Sequence, residues 1–137
     1  MPAYNFQKRF ADRVGNGTKL HTIRAYRKDG RHPIAGQPFR AYTGMRTKLC
    51  EPILFSTISK VEWVHIDVGG IVSIVGPMAE HQRTLTHAER DALALGDGFV
   101  SALEFVAFFR NNYGLPFNGD LIHWTFTTGL DGDNDRG

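Results

Sequence analysis

The chain changes from a helix pattern to a strand pattern within the stretch Gly17-Thr18-Lys19-Leu20-His21-Thr22-Ile23-Arg24. Alternation over the residues that follow predicts a strand over 21–26, in which Thr22 and Arg24 share a face that the strand-entry Lys19 can reach. An amine, a hydroxyl and a guanidinium on one face form a candidate functional cluster. The alternative is a basic residue at a turn followed by an ordinary edge strand.

The residues before this stretch have the pattern of an amphipathic helix. Phe6, Phe10 and Val14 recur at four-residue intervals among charged and polar residues, and Gly15-Asn16-Gly17 supplies the stop signal. We therefore expect a short helix that leads directly into the first strand.

Several segments further along have the composition and alternation of strands: 21–26, 39–43, 53–66 and 121–126. The residues 66–72 predict a hairpin, because Gly69 and Gly70 supply the positive φ angles of tight turns. Two capping-box patterns, Thr86-His87-Ala88-Glu89 and Ser101-Ala102-Leu103-Glu104, predict helix starts. The second helix has a broad aromatic face and ends at Asn111-Asn112-Tyr113-Gly114.

This order of elements lacks the alternation of strands and helices that builds a parallel sheet. It predicts an α+β domain with a mostly antiparallel sheet that can close into a small barrel. A length of 137 residues and a hydrophobic content of 42% support one domain with one core, over residues 1–126. Residues 127–137 read as a flexible polar tail.

The composition also bears on location and redox chemistry. The sequence contains neither a signal-peptide pattern nor an apolar run of the roughly 20 residues that a membrane span needs, so we expect a cytoplasmic protein without a membrane partner. The single cysteine, Cys50, excludes an internal disulfide, and its apolar neighbours predict a buried, inert thiol.

The basic residues are concentrated in the first part of the chain. Residues 1–50 contain eleven Lys and Arg against two Asp, a net charge of +9, and the remainder contains five basic and twelve acidic residues, a net charge of −7. If residues 8–48 form one basic face, that face can bind RNA. If the two parts mix in space, the charges cancel on an ordinary solvated surface.

Taken together, these motifs resemble the ASCH domain. The resemblance is carried by Gly17-x-Lys19-x-x-Thr22-Ile23-Arg24 after a short helix, by a strand from Gly36 to Tyr42, and by Asp97-Gly98-Phe99 ahead of an aromatic helix that ends in Asn112-Tyr113-Gly114. It spans roughly residues 4–126. It implies a small PUA-like β-barrel of mostly antiparallel strands with flanking helices, and a role that involves RNA or nucleosides.

One subfamily of small bacterial ASCH proteins hydrolyses N4-acetylcytidine to cytidine and acetate, and the resemblance implies this metal-free amidohydrolase activity here. The substrate would be N4-acetylcytidine or a related N4-acylated cytosine nucleoside. The catalytic lysine, threonine and arginine of that subfamily fall on Lys19, Thr22 and Arg24. Its glutamate falls best on Asp97, which is one methylene shorter, and less well on Glu104. A misplacement of about 1 Å can cost roughly 100-fold in rate.

The chemistry of amide hydrolysis suits these residue types. The reaction needs a base or nucleophile, a proton donor for the leaving amine and a positive group at the developing oxyanion. Lys19 with a lowered pKa can supply the first, Asp97 the second and Arg24 the third, while Thr22 can relay a proton. The structural alternatives are a solvated lysine, an Arg24–Asp97 salt bridge and Asp97 as a helix cap.

Three further expectations concern binding. A cytosine base is held by stacking, for which Tyr26, Phe39 and Tyr42 are the substrate-binding candidates, although most aromatic residues of a small domain belong to its core. The six histidines lack metal-ligand spacing, so we expect no metal and no cofactor. We expect a monomer or weak homodimer. The alternative function is an RNA-binding or RNA-cleaving ASCH module.

Overall fold

A computed structural model of the chain describes residues 2–76 and 82–126. Within these two ranges the chain forms three helices and seven strands. The helices are α1 (Lys8–Asn16), α2 (His87–Gly96) and α3 (Ala102–Tyr113). The strands are β1 (Ala3–Phe6), β2 (His21–Ala25), β3 (Pro38–Thr43), β4 (Glu51–Ile66), β5 (Val72–Val75), β6 (Arg83–Thr84) and β7 (Phe117–Trp124).

The long strand β4 organises the sheet. It pairs antiparallel with β3, β5 and β7, and the antiparallel pairs β2–β7 and β5–β6 extend the sheet outward. The N-terminal strand β1 pairs with β3 in parallel, with Ala3 opposite Arg40 and Phe6 opposite Thr43. The sheet is therefore mixed but mostly antiparallel, as predicted.

The α+β class is confirmed, but the predicted closed barrel is wrong because the sheet is open. Strands β1, β2 and β6 each pair with a single neighbour, and no pairing joins one of them to another within the described ranges. A barrel would require two of these edges to hydrogen-bond to each other. The two-residue strand β6 also offers very little backbone for such a pairing.

Four details of the sequence-based reading need correction. Phe6 lies in β1 and not in the first helix, and the last strand runs over Phe117–Trp124 instead of 121–126. Asp97 is the C-cap of α2 and not a cap before α3. Cys50 is exposed, because it lies in the loop before β4 and not within a buried strand. The predicted tail, 127–137, lies outside the described residues.

Most of the local stop and start signals are confirmed. The capping box predicted at Ser101 is only half formed, because the Ser101 hydroxyl accepts from the Glu104 N–H while the Glu104 carboxylate bonds Arg9, and of the two hairpin glycines only Gly70 has a positive φ. Gly17 ends α1 with a φ of 85°, and Thr86 and Glu89 form a reciprocal capping box at the start of α2. The β4–β5 hairpin closes over residues 67–71, where Gly70 has a φ of 88° and the Asp67 carboxylate accepts from two backbone N–H groups.

Buried hydrophobic side chains form one core cluster between the sheet and the helices. The aromatic face of α3 contributes Phe105 and Phe109, and Phe99 bridges these rings to Phe10 of α1. This aromatic contact fixes the loop after α2 against the N-terminal helix, and it thereby positions Asp97. No helix among the described residues is both long enough and apolar enough to cross a membrane.

Candidate functional site

A cavity of about 220 Å³ lies where the N-terminal segment, strand β2, the loop after α2 and helix α3 meet. Its lining includes all four predicted catalytic residues. The polar lining residues are Lys19, Thr22, Arg24, Asp97, Asn5 and Gln7, and the remainder are Phe6, Phe10, Ile23, Phe99, Phe108, Phe109 and Tyr113. Polar groups thus converge on one side of an aromatic pocket, as in many ligand-binding sites.

Two structural devices bring these residues together. The period of the strand places Thr22 and Arg24 on one face of β2, directly after Lys19. Asp97 arrives from the end of α2, and Gly98 then turns the chain with a φ of 100°. A Cβ at Gly98 would lie 2.6 Å from Phe10 Cδ1, so the loop can approach the cavity this closely only with glycine.

Lys19 and Asp97 form a buried pair. Their residues are 3% and 4% exposed, and Lys19 Nζ donates to Asp97 Oδ1 at 2.5 Å and to the Asp97 carbonyl oxygen at 2.8 Å. The Lys19 amine therefore pairs with the Asp97 carboxyl group and also satisfies a backbone carbonyl at the C-terminal end of α2. Glu104, the alternative acidic partner, does not line the cavity and instead bonds Arg9 at 3.2 Å.

Burial shifts both groups towards their neutral forms. Desolvation is the largest cause that lowers the pKa of Lys19 and raises the pKa of Asp97, and the attraction between the two groups opposes each shift. The positive charges of Arg24 and Arg13 lower the pKa of Lys19 further. The site therefore favours an uncharged amine and a protonated carboxyl more than water does.

Arg24 is held beside this pair and does not form the predicted structural salt bridge with Asp97. Its Nε donates to Thr22 Oγ1 at 3.2 Å and its Nη2 donates to the Asn5 carbonyl oxygen at 2.7 Å. Its Cζ lies 4.7 Å from the centroid of the Phe6 ring. Burial lowers the pKa of Arg24, but a guanidinium remains charged in a protein, so Arg24 is the fixed positive group of the cavity.

His21 is a third buried group beside the pair. Its Nε2 is buried without a hydrogen-bond partner in the described part of the chain and lies 3.5 Å from Asp97 Oδ1. Burial, and then the charges of Lys19 and His123, lower the pKa of His21 to about 3. The ring is therefore neutral and offers a lone pair beside the Asp97 carboxyl.

The three residues predicted to bind the base lie elsewhere. Phe39 is 1% exposed in the core against Trp124, and Tyr42 lies on β3. Tyr26 is exposed and lines a separate depression with Trp63. The aromatic residues that do line the cavity come from β1, α1, α3 and the loop between α2 and α3. Their spacing along the helices predicted burial but not which rings face a cavity.

Among the residues described, no three His, Cys, Asp or Glu side chains are grouped so that they could hold a metal ion. Comparisons of the chain with protein-family models, with curated proteins and with solved structures return no match.

Proposed function

We propose that this chain is an ASCH-type, metal-free amidohydrolase that cleaves the N4-acyl amide of N4-acetylcytidine or a related N4-acylated cytosine nucleoside. The observation that carries the proposal is the buried Lys19–Asp97 pair, which lines a cavity together with Thr22 and Arg24. The open sheet departs from the barrel that the resemblance implies, so the support comes from the site residues. The proposal keeps the expectations of a cytoplasmic enzyme without a cofactor.

In the first step the uncharged Lys19 amine acts as general base. It takes a proton from a water molecule, directly or through the Thr22 hydroxyl, and the water oxygen adds to the acyl carbon. Negative charge develops on the acyl oxygen, and the Arg24 guanidinium is the group that stabilises it. A lysine with an ordinary pKa would be protonated and could not accept this proton, so its burial serves the reaction.

In the second step the bond between the acyl carbon and N4 breaks. The protonated Asp97 carboxyl donates its proton to N4, which leaves as the exocyclic amine of cytidine. Lys19 then returns its proton to Asp97 across the 2.5 Å hydrogen bond, and the carboxylic acid product loses a proton to solvent. Both groups are thereby restored for another turnover.

The aromatic side of the cavity suits the substrate's base. Phe10, Phe99 and Phe108 line it and contact one another, and a flat pyrimidine can pack against such a cluster of aromatic rings. Asn5 and Gln7 supply amide groups that can pair with the base edge.

The test is hydrolysis of N4-acetylcytidine in the presence of EDTA, followed by ultraviolet absorbance. Lys19→Ala should lower kcat by roughly 1000-fold, as expected for the loss of a general base. Lys48→Ala removes an exposed lysine outside the cavity and is the matched control. Failure of the wild-type protein to hydrolyse the substrate, or full activity of Lys19→Ala, would refute the proposal.

A second candidate function is RNA binding. Tyr26 and Trp63 are 43% and 45% exposed and line one depression with His65 and Asn118, which is an arrangement that can stack unpaired bases. RNA binding through this surface and the basic residues of 8–48 should weaken steeply with salt, whereas turnover of an uncharged nucleoside should not. The salt dependence therefore distinguishes the two functions.

A further inference from the structure

A second cavity of about 560 Å³ adjoins the first, and Arg24 lines both. Tyr4, Arg27, Arg31, His32 and Asp120 also line it. Apart from Arg24, none of these lining residues has a part in the hydrolysis of a nucleoside as proposed above.

The two cavities lie along successive stretches of the N-terminal segment. Residues 5–7 line the first cavity and residues 2–4 line the second, so the N-terminal segment is a continuous wall. The Arg24 guanidinium lies at the junction, where its Nη2 bonds the Asn5 carbonyl oxygen at 2.7 Å. Arg24 is therefore the side chain that a ligand occupying both cavities would contact.

The second cavity is positively charged. Its carboxylate, Asp120, already accepts from His32 Nδ1 at 3.0 and 3.1 Å. Arg27 bonds Asp29, which lies outside the lining, while the guanidinium of Arg31 has no hydrogen bond or ion pair within the ranges the structure describes. The Asp29 carboxylate lies within electrostatic range of Arg31 but forms its ion pair with Arg27. A guanidinium that makes no ion pair of its own among the described residues, and that lies beside a cleft, is suited to bind a phosphate group.

The size of the first cavity limits how much of a nucleoside it can hold. Pockets that enclose a whole drug-sized ligand measure roughly 300–1,000 Å³. A cavity of about 220 Å³ lies below this range, so we expect a whole nucleoside to extend beyond it. If the base occupies the first cavity, the ribose lies at Arg24 and its substituents extend into the second.

We propose that the second cavity binds a phosphate ester on the ribose, so that the preferred substrate is an N4-acylated cytidine nucleotide and not the free nucleoside. This inference rests on the proposed amidohydrolase function. The phosphate can be on the 5′ or the 3′ oxygen, and substrates of both kinds distinguish the two.

The experiment compares kcat/KM for N4-acetylcytidine, its 5′-monophosphate and its 3′-monophosphate. We expect one monophosphate to be preferred by at least about tenfold, mainly through KM, because a charge-assisted hydrogen bond contributes about that factor. Arg31→Gln should abolish this preference. Lys48→Gln, which removes one exposed charge outside both cavities, should retain it.

Equal kcat/KM for all three substrates, or a preference that survives in Arg31→Gln, would overturn the phosphate site while leaving the amidohydrolase intact. If none of the three is hydrolysed, the amidohydrolase fails, and calorimetric titration with cytidine, cytidine 5′-monophosphate and cytidine 3′-monophosphate decides the phosphate site separately. Tighter binding of the monophosphate that is lost in Arg31→Gln supports the site, and equal binding overturns it.

Discussion

His21 should make the folded protein sensitive to acid. Its pKa is lowered from 6.5 to about 3, so between these values the unfolded chain binds a proton at His21 and the folded chain does not. Because the folded pKa is the lower one, stability is complete above about pH 6.5 and is lost as the pH falls towards 3. The shift of His123 has the same direction and adds to the loss.

The size of the effect follows from this interval. Each pH unit within it corresponds to about 1.4 kcal/mol per proton, so His21 alone should cost about 2 kcal/mol between pH 6.5 and about pH 5. This is a large part of a typical free energy of unfolding of roughly 5–15 kcal/mol. His21→Asn places a residue at the site that cannot titrate, so its stability should change less over this range.

Urea unfolding of the wild type and of His21→Asn near pH 7 and near pH 5 measures the difference. His87→Asn, which removes an exposed histidine at the start of α2, is the control and should behave as the wild type does. Parallel loss of stability in the wild type and in His21→Asn would refute the reasoning, as would an equal flattening of the pH profile by His87→Asn.

Three further sets of variants test the site and its supports. Lys19→Met should lower the free energy of unfolding by about 3–5 kcal/mol because it leaves a buried carboxyl unpaired, and adding Asp97→Leu should recover most of that loss in urea titrations. Gly98→Ala should cost about 3 kcal/mol, since it combines a φ of 100° with a clash, whereas Gly30→Ala, with a φ of 75° and open space, should cost about 1 kcal/mol. Equal thermal midpoints for the two alanine variants would contradict this. Thr86→Ala should cost about 1 kcal/mol, measured in the same way, through loss of the α2 cap.

Local signals were enough to predict the helices and most of the strands. The spacing of Phe10 and Val14, the stop at Gly17 and the capping box at Thr86 all act within a few residues, so they can be read without the fold. Strand β1 could not be found in this way. It has four residues, and its partner β3 comes only after α1 and β2, in a parallel pairing that local patterns do not record. Whether the sheet closes depends on the same kind of distant pairing.

The candidate site likewise contains some residues that local patterns predict and others that they do not. Lys19, Thr22 and Arg24 come from one short stretch, and strand alternation alone predicts that they can meet. Asp97 was assigned by resemblance, because nothing local connects the end of α2 to β2. Alternation also places His21 opposite Thr22, but it carries no information about what packs on that face. Gly96 packs there, since a Cβ on it would lie 3.0 Å from His21 Cε1.

The position of Asp97 is unfavourable for a charged carboxylate, and the proposed hydrolysis gives a reason for a Lys19–Asp97 pair at this place. A carboxylate at a helix C-terminus is opposed by the helix dipole, and Asp97 is the C-cap of α2. A buried ion pair is also often no more stabilising than apolar residues of similar volume. If the Lys19–Asp97 pair served stability alone, charged side chains at the end of α2 would therefore be no better than apolar ones. The proposed hydrolysis does gain, because the same burial lowers the pKa of the Lys19 amine and raises the pKa of the Asp97 carboxyl, and these two groups lie 2.5 Å apart. If this is correct, the variant with both Lys19→Met and Asp97→Leu is stable and inactive.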